Sequence, residues 1–202
     1  MYRFQQTKYA RADAATGETP AADASTTTSE DEISRRLNSA IGKIARRMGP
    51  DGEMSNGNIA ELRRISSENP FTPALWKVLF DYDLENARLG LDQDTYERRM
   101  ATLLMGMAHC AGLHDYGTSL GQALAEAGWS ELRFVRLMEA RGETLESLIR
   151  RLAQYLASKG QPANWVDVAR LLLQQEGDKA ETTRLNISRS YYGTLYSKEN
   201  TE

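Results

Sequence analysis

Four side chains of the types that hold metals or act as nucleophiles fall close together near the middle of the chain: His109, Cys110, His114 and Asp115. A zinc site needs three or four such ligands at spacings such as C-x-x-C or H-x-x-x-H. Here the two histidines stand on either side of Gly112, a helix-ending residue, and the sequence holds no further histidine or cysteine. A Cys–His catalytic pair fares no better, because adjacent residues on a helix do not face each other. The cluster reads instead as the last turn of a helix, where the dipole favours histidine. No glycine-rich phosphate loop, H-E-x-x-H or G-x-S-x-G is present. The carboxylates show no spacing that suggests an acid/base pair. The expectation is no catalytic residue, no metal, no cofactor and no enzyme activity.

What remains is cationic chemistry. Arg63 and Arg64, Arg133 and Arg136, and Arg150 and Arg151 come in close pairs, with Arg46, Arg47 and Lys77 as further candidates. A guanidinium is planar, always charged and able to bridge two phosphate oxygens. The net charge of −3 does not indicate a globally basic nucleic-acid binder. That total hides a distribution: residues 1–32 carry three basic and six acidic side chains, whereas residues 33–80 carry eight basic and four acidic ones. A basic surface is therefore available, but folding must assemble it.

The elements that would position these arginines are helices throughout. The organising stretch is Gly117 to Leu152, which reads as three short helices with two tight breaks. Ser119 caps the first and Gly128 ends it. Ser130 caps the second and Gly142 closes it, and Thr144 opens the third. Upstream, Ser29-x-x-Glu32 has the form of a capping box, followed by Ile33, Leu37, Ile41, Ile44 and Met48 on one helical stripe. A short helix around 58–67 places Ile59, Leu62 and Ile65 inward. Thr72-Pro73 opens a helix running to Gly90, with Leu75, Trp76, Leu79 and Phe80 in its core face. Another spans about Asp94 to Cys110, its methionines at core spacing. After Leu152 the apolar spacing continues to Leu156, Asn164 caps a helix carrying Trp165, and a last helix from Asp178 stacks Ile187, Tyr191 and Leu195. No segment alternates with period two for long enough to make a strand. The expected fold is all-α: two packed helical bundles of about eight or nine helices, with residues 1–29 a disordered tail, 30–112 one bundle and 113–202 the other. The tail is rich in Ala, Thr, Ser and Asp and has too little apolar surface to offset its ordering entropy.

One cysteine allows no internal disulfide, so a reducing, cytoplasmic compartment is expected. No apolar run approaches a membrane span, and MYRFQQTKYA lacks the apolar core of a secretory signal.

Three functional readings fit these observations. One is a helix-turn-helix regulator with Ser130–Arg141 as recognition helix, a reading weakened by Glu131 and Glu139 beside the arginines. Another is a subunit that binds only other proteins. The third holds nucleic-acid backbone through arginines gathered from several helices, without reading sequence.

The order of motifs decides among them. The run from Ser119 to Leu173 resembles the CasB family, the small subunit of the type I-E CRISPR surveillance complex, Cascade. The similarity rests on Ser119, Leu120, Gly121, Ala123, Leu124 and Ala125, then on Arg133, Leu137 and Ala140. It continues through Arg150, Arg151 and Leu152 to Trp165 with Ala169, Arg170, Leu171 and Leu172. Leu62 to Ser66 and the helix with Trp76, Leu79 and Phe80 resemble the family's N-terminal half. Gln122 departs from the pattern, since a basic residue often follows the glycine there.

The resemblance implies a non-catalytic protein of two helical bundles. Its implied partners are the backbone subunits that hold the guide RNA, the large subunit, a second copy of itself, the CRISPR RNA and target DNA. It further implies that a basic face helps to hold DNA opened into an R-loop, above all the displaced single strand. On that reading Arg63, Arg64, Arg133, Arg136, Arg150 and Arg151 lead the contacts, followed by Arg46, Arg47 and Lys77.

Overall fold

The computed structural model describes residues 23–199, with the side chains of residues 31–198. Among them are nine helices and no strand: α1 (Asp23–Met48), α2 (Asn56–Arg63), α3 (Pro73–Asp81), α4 (Gln93–His109), α5 (Leu120–Glu126), α6 (Glu131–Glu139), α7 (Gly142–Lys159), α8 (Trp165–Leu173) and α9 (Gly177–Glu199). The all-α expectation holds. None of these helices is long and apolar enough to cross a membrane.

Several helix starts lie where capping chemistry places them. Ser55, Thr72, Asp92, Ser119 and Asn164 each accept a hydrogen bond from a first-turn amide, satisfying donors that a helix start leaves open. Gly128 takes φ 77°, the left-handed conformation that ends α5 without a side-chain clash.

Other boundaries differ from the sequence reading. Helix α1 begins at Asp23, six residues before Ser29. No proline or glycine lies between Pro20 and Gly42 to stop it, so Ser29 sits inside a helix rather than at its cap. The part of the expected tail from 1 to 22 lies outside the described residues. Helix α3 stops at Asp81 instead of Gly90, and the chain then passes through left-handed turns at Asp83 (φ 52°) and Leu89 (φ 50°). Phe80, expected in the core, is 62% exposed. Ala74, Leu75, Val78 and Leu79 centre the buried face, and Phe80 falls on the far side of that helix. Thr144 does not open α7: the helix starts at Gly142, whose amide donates to Gln175 Oε1 at 2.7 Å.

The buried residues form one continuous cluster from Leu37 to Tyr191. Leu145, Ile149, Leu152 and Leu156 of α7 are fully buried, the i, i+4, i+7, i+11 stripe of an amphipathic helix. The methionines of α4 fill core space, and Trp165 lies against Gly106, where a Cβ would come within 2.7 Å of the indole. Gly121 lets α5 meet α9 backbone to backbone. A Cβ there would collide with the Ile187 carbonyl and lie 2.7 Å from the Tyr191 amide nitrogen.

Gly121→Ala should therefore overpack this crossing and lower unfolding stability by about 1–3 kcal/mol. Gly193→Ala, in α9 where an added Cβ meets nothing, should raise it by up to about 1 kcal/mol. Urea unfolding of the two variants checks the contrast.

Candidate nucleic-acid interface

The six leading arginines come from three places: the end of α2, the outer side of α6 and the middle of α7. Arg63 is the last residue of α2 and Arg64 its C-cap. Arg63 Nε donates to the carbonyl of Ala108 at 2.7 Å, close to the end of α4, where helix carbonyls lack intrahelical partners. Arg150, on α7, donates through Nη1 to the carbonyl of Ile65, just past α2. Each guanidinium thus spends a donor on backbone and keeps others of its five. The two lie near one another, since both bear on His109. Burial, then Arg63, then Arg150 hold that imidazole below its ordinary range.

Arg151 is the next residue and lies about 100° further round α7, exposed. Its flank continues at i+4 and i+8 through Tyr155 and Lys159. Lys159 places its ammonium 5.8 Å from the centre of the Tyr155 ring. Tyr155 meets Trp129 edge-on, with ring centres 4.9 Å apart, and its hydroxyl donates to the Ala127 carbonyl at 2.7 Å. The Arg133 guanidinium sits 5.5 Å from the centre of the Trp129 ring, a cation–π contact. Arg136, one turn along α6, is exposed. These contacts join the cations in two groups, Arg63 with Arg150 near the end of α2, and Arg133 with Lys159 through Trp129 and Tyr155, while Arg64, Arg136 and Arg151 are exposed on the same elements. Among the described residues none of the six arginines forms an ion pair. Glu146 draws on Arg150 through space, while Glu131 is engaged by the Tyr192 hydroxyl at 3.0 Å.

The remaining candidates are not joined to either group by any of these contacts. Arg47 is paired with Asp81 at 3.4 Å and bonded to the Tyr82 hydroxyl, so its charge is committed within the fold. Arg46 is exposed beside a groove lined by His114 and Tyr116. Lys77 is exposed on α3.

Lys159, Tyr155 and Trp129 were not among the expected residues. Their signal was nevertheless present, because Arg151, Tyr155 and Lys159 are spaced at i, i+4 and i+8. Trp129 is buried and acts as the support under Arg133. The helix-turn-helix reading is not favoured. Helix α6 buries Phe134 and Leu137 and turns Leu132, Val135, Glu131 and Glu139 outward beside its arginines, a face poorly matched to a phosphate-lined groove.

The histidine and cysteine cluster points apart. The Cys110 thiol donates to the Ala153 carbonyl, and His114 Nδ1 accepts the amide of Trp165 at 3.2 Å. Burial pushes the Cys110 thiol up to about 12. In the folded protein it should resist iodoacetamide at about pH 8 and react only on unfolding, because the thiolate is the nucleophile; mass spectrometry of labelled native and denatured protein checks this. Burial also holds His114 below its ordinary 6.5. With the folded-state values of His109 and His114 both depressed, the unfolded chain binds more protons at mildly acidic pH, so stability should fall as pH drops from about 7 to about 5. Thermal melts over that range should show the decline, flattened by His109→Gln and His114→Gln together.

Residues 58–192 match the family model described as CRISPR-associated protein Cse2. A search of curated proteins finds no match. Among solved structures, a chain in the crystal structure of E. coli Cascade bound to a PAM-containing double-stranded DNA target is similar. It has 20% sequence identity and a TM-score of 0.56, over 76% of this chain and 95% of that one. That likeness extends the shared fold across most of both chains.

Proposed function

The chain belongs to the CRISPR-associated Cse2 family, and from that membership we infer that it works without catalysis, as the small subunit of a type I-E CRISPR surveillance complex in the cytoplasm. Its partners are the other Cascade subunits, the CRISPR RNA and target DNA. Its task in the complex is to hold DNA opened into an R-loop, chiefly the displaced strand. The observation that supports this task is that the six arginines between Arg63 and Arg151 form no ion pair among the described residues; we take them as one cationic band. The family match spans all six of those arginines and leaves out Arg46 and Arg47. The division at residue 112 into two bundles, packed on one continuous core, is proposed from the family resemblance.

The chemistry follows from the energetics of strand separation. Guide and target form a duplex about as stable as the one it replaces, so the open state is nearly balanced. A displaced strand left in water is free to reanneal. Cations along its path release its condensed counterions and favour the open state whatever its sequence. Arginine suits the task because its fork contacts phosphate oxygens in pairs. Here the supports are built in: Arg63 and Arg150 are anchored on backbone carbonyls and Arg133 on an indole face. Less side-chain freedom is then lost on binding.

Replacing Arg133 and Arg151 by glutamate should shorten R-loop lifetime on the assembled complex, more steeply as salt rises, and leave the helical circular dichroism unchanged. With alanine at both positions, the slope of log affinity against log salt for single-stranded DNA should shrink by about 1.4, at about 0.7 per lost contact. Normal R-loop lifetimes in the glutamate variant would remove these residues from the interface. Tighter binding to one duplex sequence than to single strands would favour the regulator reading instead.

A further inference from the structure

Beside Arg150 the surface dips into a cleft of about 200 Å³ between the α2–α3 loop, α4 and α7. Ile65 and Pro70 are its apolar lining; serine and threonine hydroxyls, among them Ser147, line the rest, and Arg98, Arg150, Glu143 and Glu146 bring charge to it. The two arginines are held in place. Arg98 Nε donates to Asp94 at 2.7 Å, and its guanidinium lies 5.3 Å from the centre of the Phe71 ring. Arg150 is tied to the Ile65 carbonyl. Glu146 is half-buried, and burial pushes its carboxyl up.

The lining selects its occupant. Two carboxylates, Glu143 and Glu146, face two guanidinium groups, Arg150 and the Arg98 already paired with Asp94, so the lining favours neither a phosphate nor a lone cation. What suits the cleft is a flat, uncharged group with N–H donors on one edge, acceptors on another and a face that can lie against Ile65 and Pro70. A nucleobase has that chemistry. Guanine has it most completely: O6 and N7 accept from a guanidinium, and the N2 amino group donates to a carboxylate.

We propose that this cleft receives one base, guanine best, turned out of the single strand whose phosphates follow the arginine band. The proposal rests on the band being a strand-binding surface. Bases of a displaced strand are already unpaired, so turning one out requires only local unstacking. The band itself is indifferent to sequence; the cleft adds a base preference at one position of the bound strand.

The test uses the full-length protein and fluorescence anisotropy with single-stranded oligonucleotides of equal length. One is all thymine, a second set carries a single dG moved along the strand, and a third has an abasic site at the position where dG acts. The expected result is a gain of about fivefold or more for dG at a defined position, absent from the abasic strand. Glu146→Gln should remove that gain, as should Ser147→Phe, which fills the cleft from an exposed position. Both variants should bind the all-thymine strand as before. Equal affinity for thymine, dG and abasic strands, still weakened by salt and by Arg133→Glu, overturns the base pocket and leaves the band standing. Loss of salt-sensitive binding to every strand by the unmodified protein overturns the band and the pocket with it. If Ser147→Phe leaves the dG gain intact, or releases the chain from the other subunits without altering strand binding, the cleft serves a protein side chain and the proposal fails.

Discussion

Helix α7 turns about 100° per residue, and its buried stripe allows only one way of seating it. Leu145, Ile149, Leu152 and Leu156 have no exposed surface, so the rotation of the helix about its axis is set by core packing. With that rotation settled, Arg150 emerges on the flank facing α2 and α4, and Arg151 on the flank leading to Tyr155 and Lys159. Two adjacent arginines thereby leave the helix about 100° apart, on different flanks. One meets the Ile65 carbonyl, and the other continues towards Trp129 and Arg133. The core stripe thus sets the two flanks of α7 on which its arginines emerge.

The second requirement is that the cations keep their charge available. A chain with 25 basic and 28 acidic residues could neutralise most of its arginines internally, and Arg47 does pair with Asp81. In the band the anchors are neutral instead: two backbone carbonyls and an aromatic face. A neutral anchor orients a guanidinium without cancelling its field, so the long-range attraction for phosphate survives. Burial of Arg150 opposes its charged form and Glu146 favours it, which places this residue at the balance point between fold and surface.

Packing elsewhere serves the same geometry. α5 approaches α9 at Gly121 closely enough to exclude a Cβ. Phe134 of α6 stacks on Tyr191 of α9, with ring centres 3.9 Å apart. The Tyr191 hydroxyl donates to the Trp129 carbonyl at 2.5 Å, so the residue that supports Arg133 is itself held by α9. Arg184, whose neighbourhood in sequence looks like any solvated helix, is buried and donates to the Met138 carbonyl near the end of α6. A misplaced α9 would therefore disturb the α6 end of the band without touching an arginine in it.

The sequence by itself determined the helical class, the caps at Thr72, Ser119 and Asn164, the stop at Gly128 and the inward stripe of α7. Each of these follows from interactions within a few residues, which capping, periodicity and glycine conformation report directly. It also carried the motif order that marks the family. Other features depended on partners distant along the chain. The end of α3 at Asp81 and the start of α7 at Gly142 each involve contacts that no local pattern encodes; Asp81 is paired with Arg47, and the Gly142 amide is held by Gln175. The separation of Arg47, bound to Asp81, from Arg63 and Arg150, bound to carbonyls, was decided only by tertiary structure. A guanidinium's availability depends on what lies within a few ångströms of it in space, and spacing along the chain does not record that.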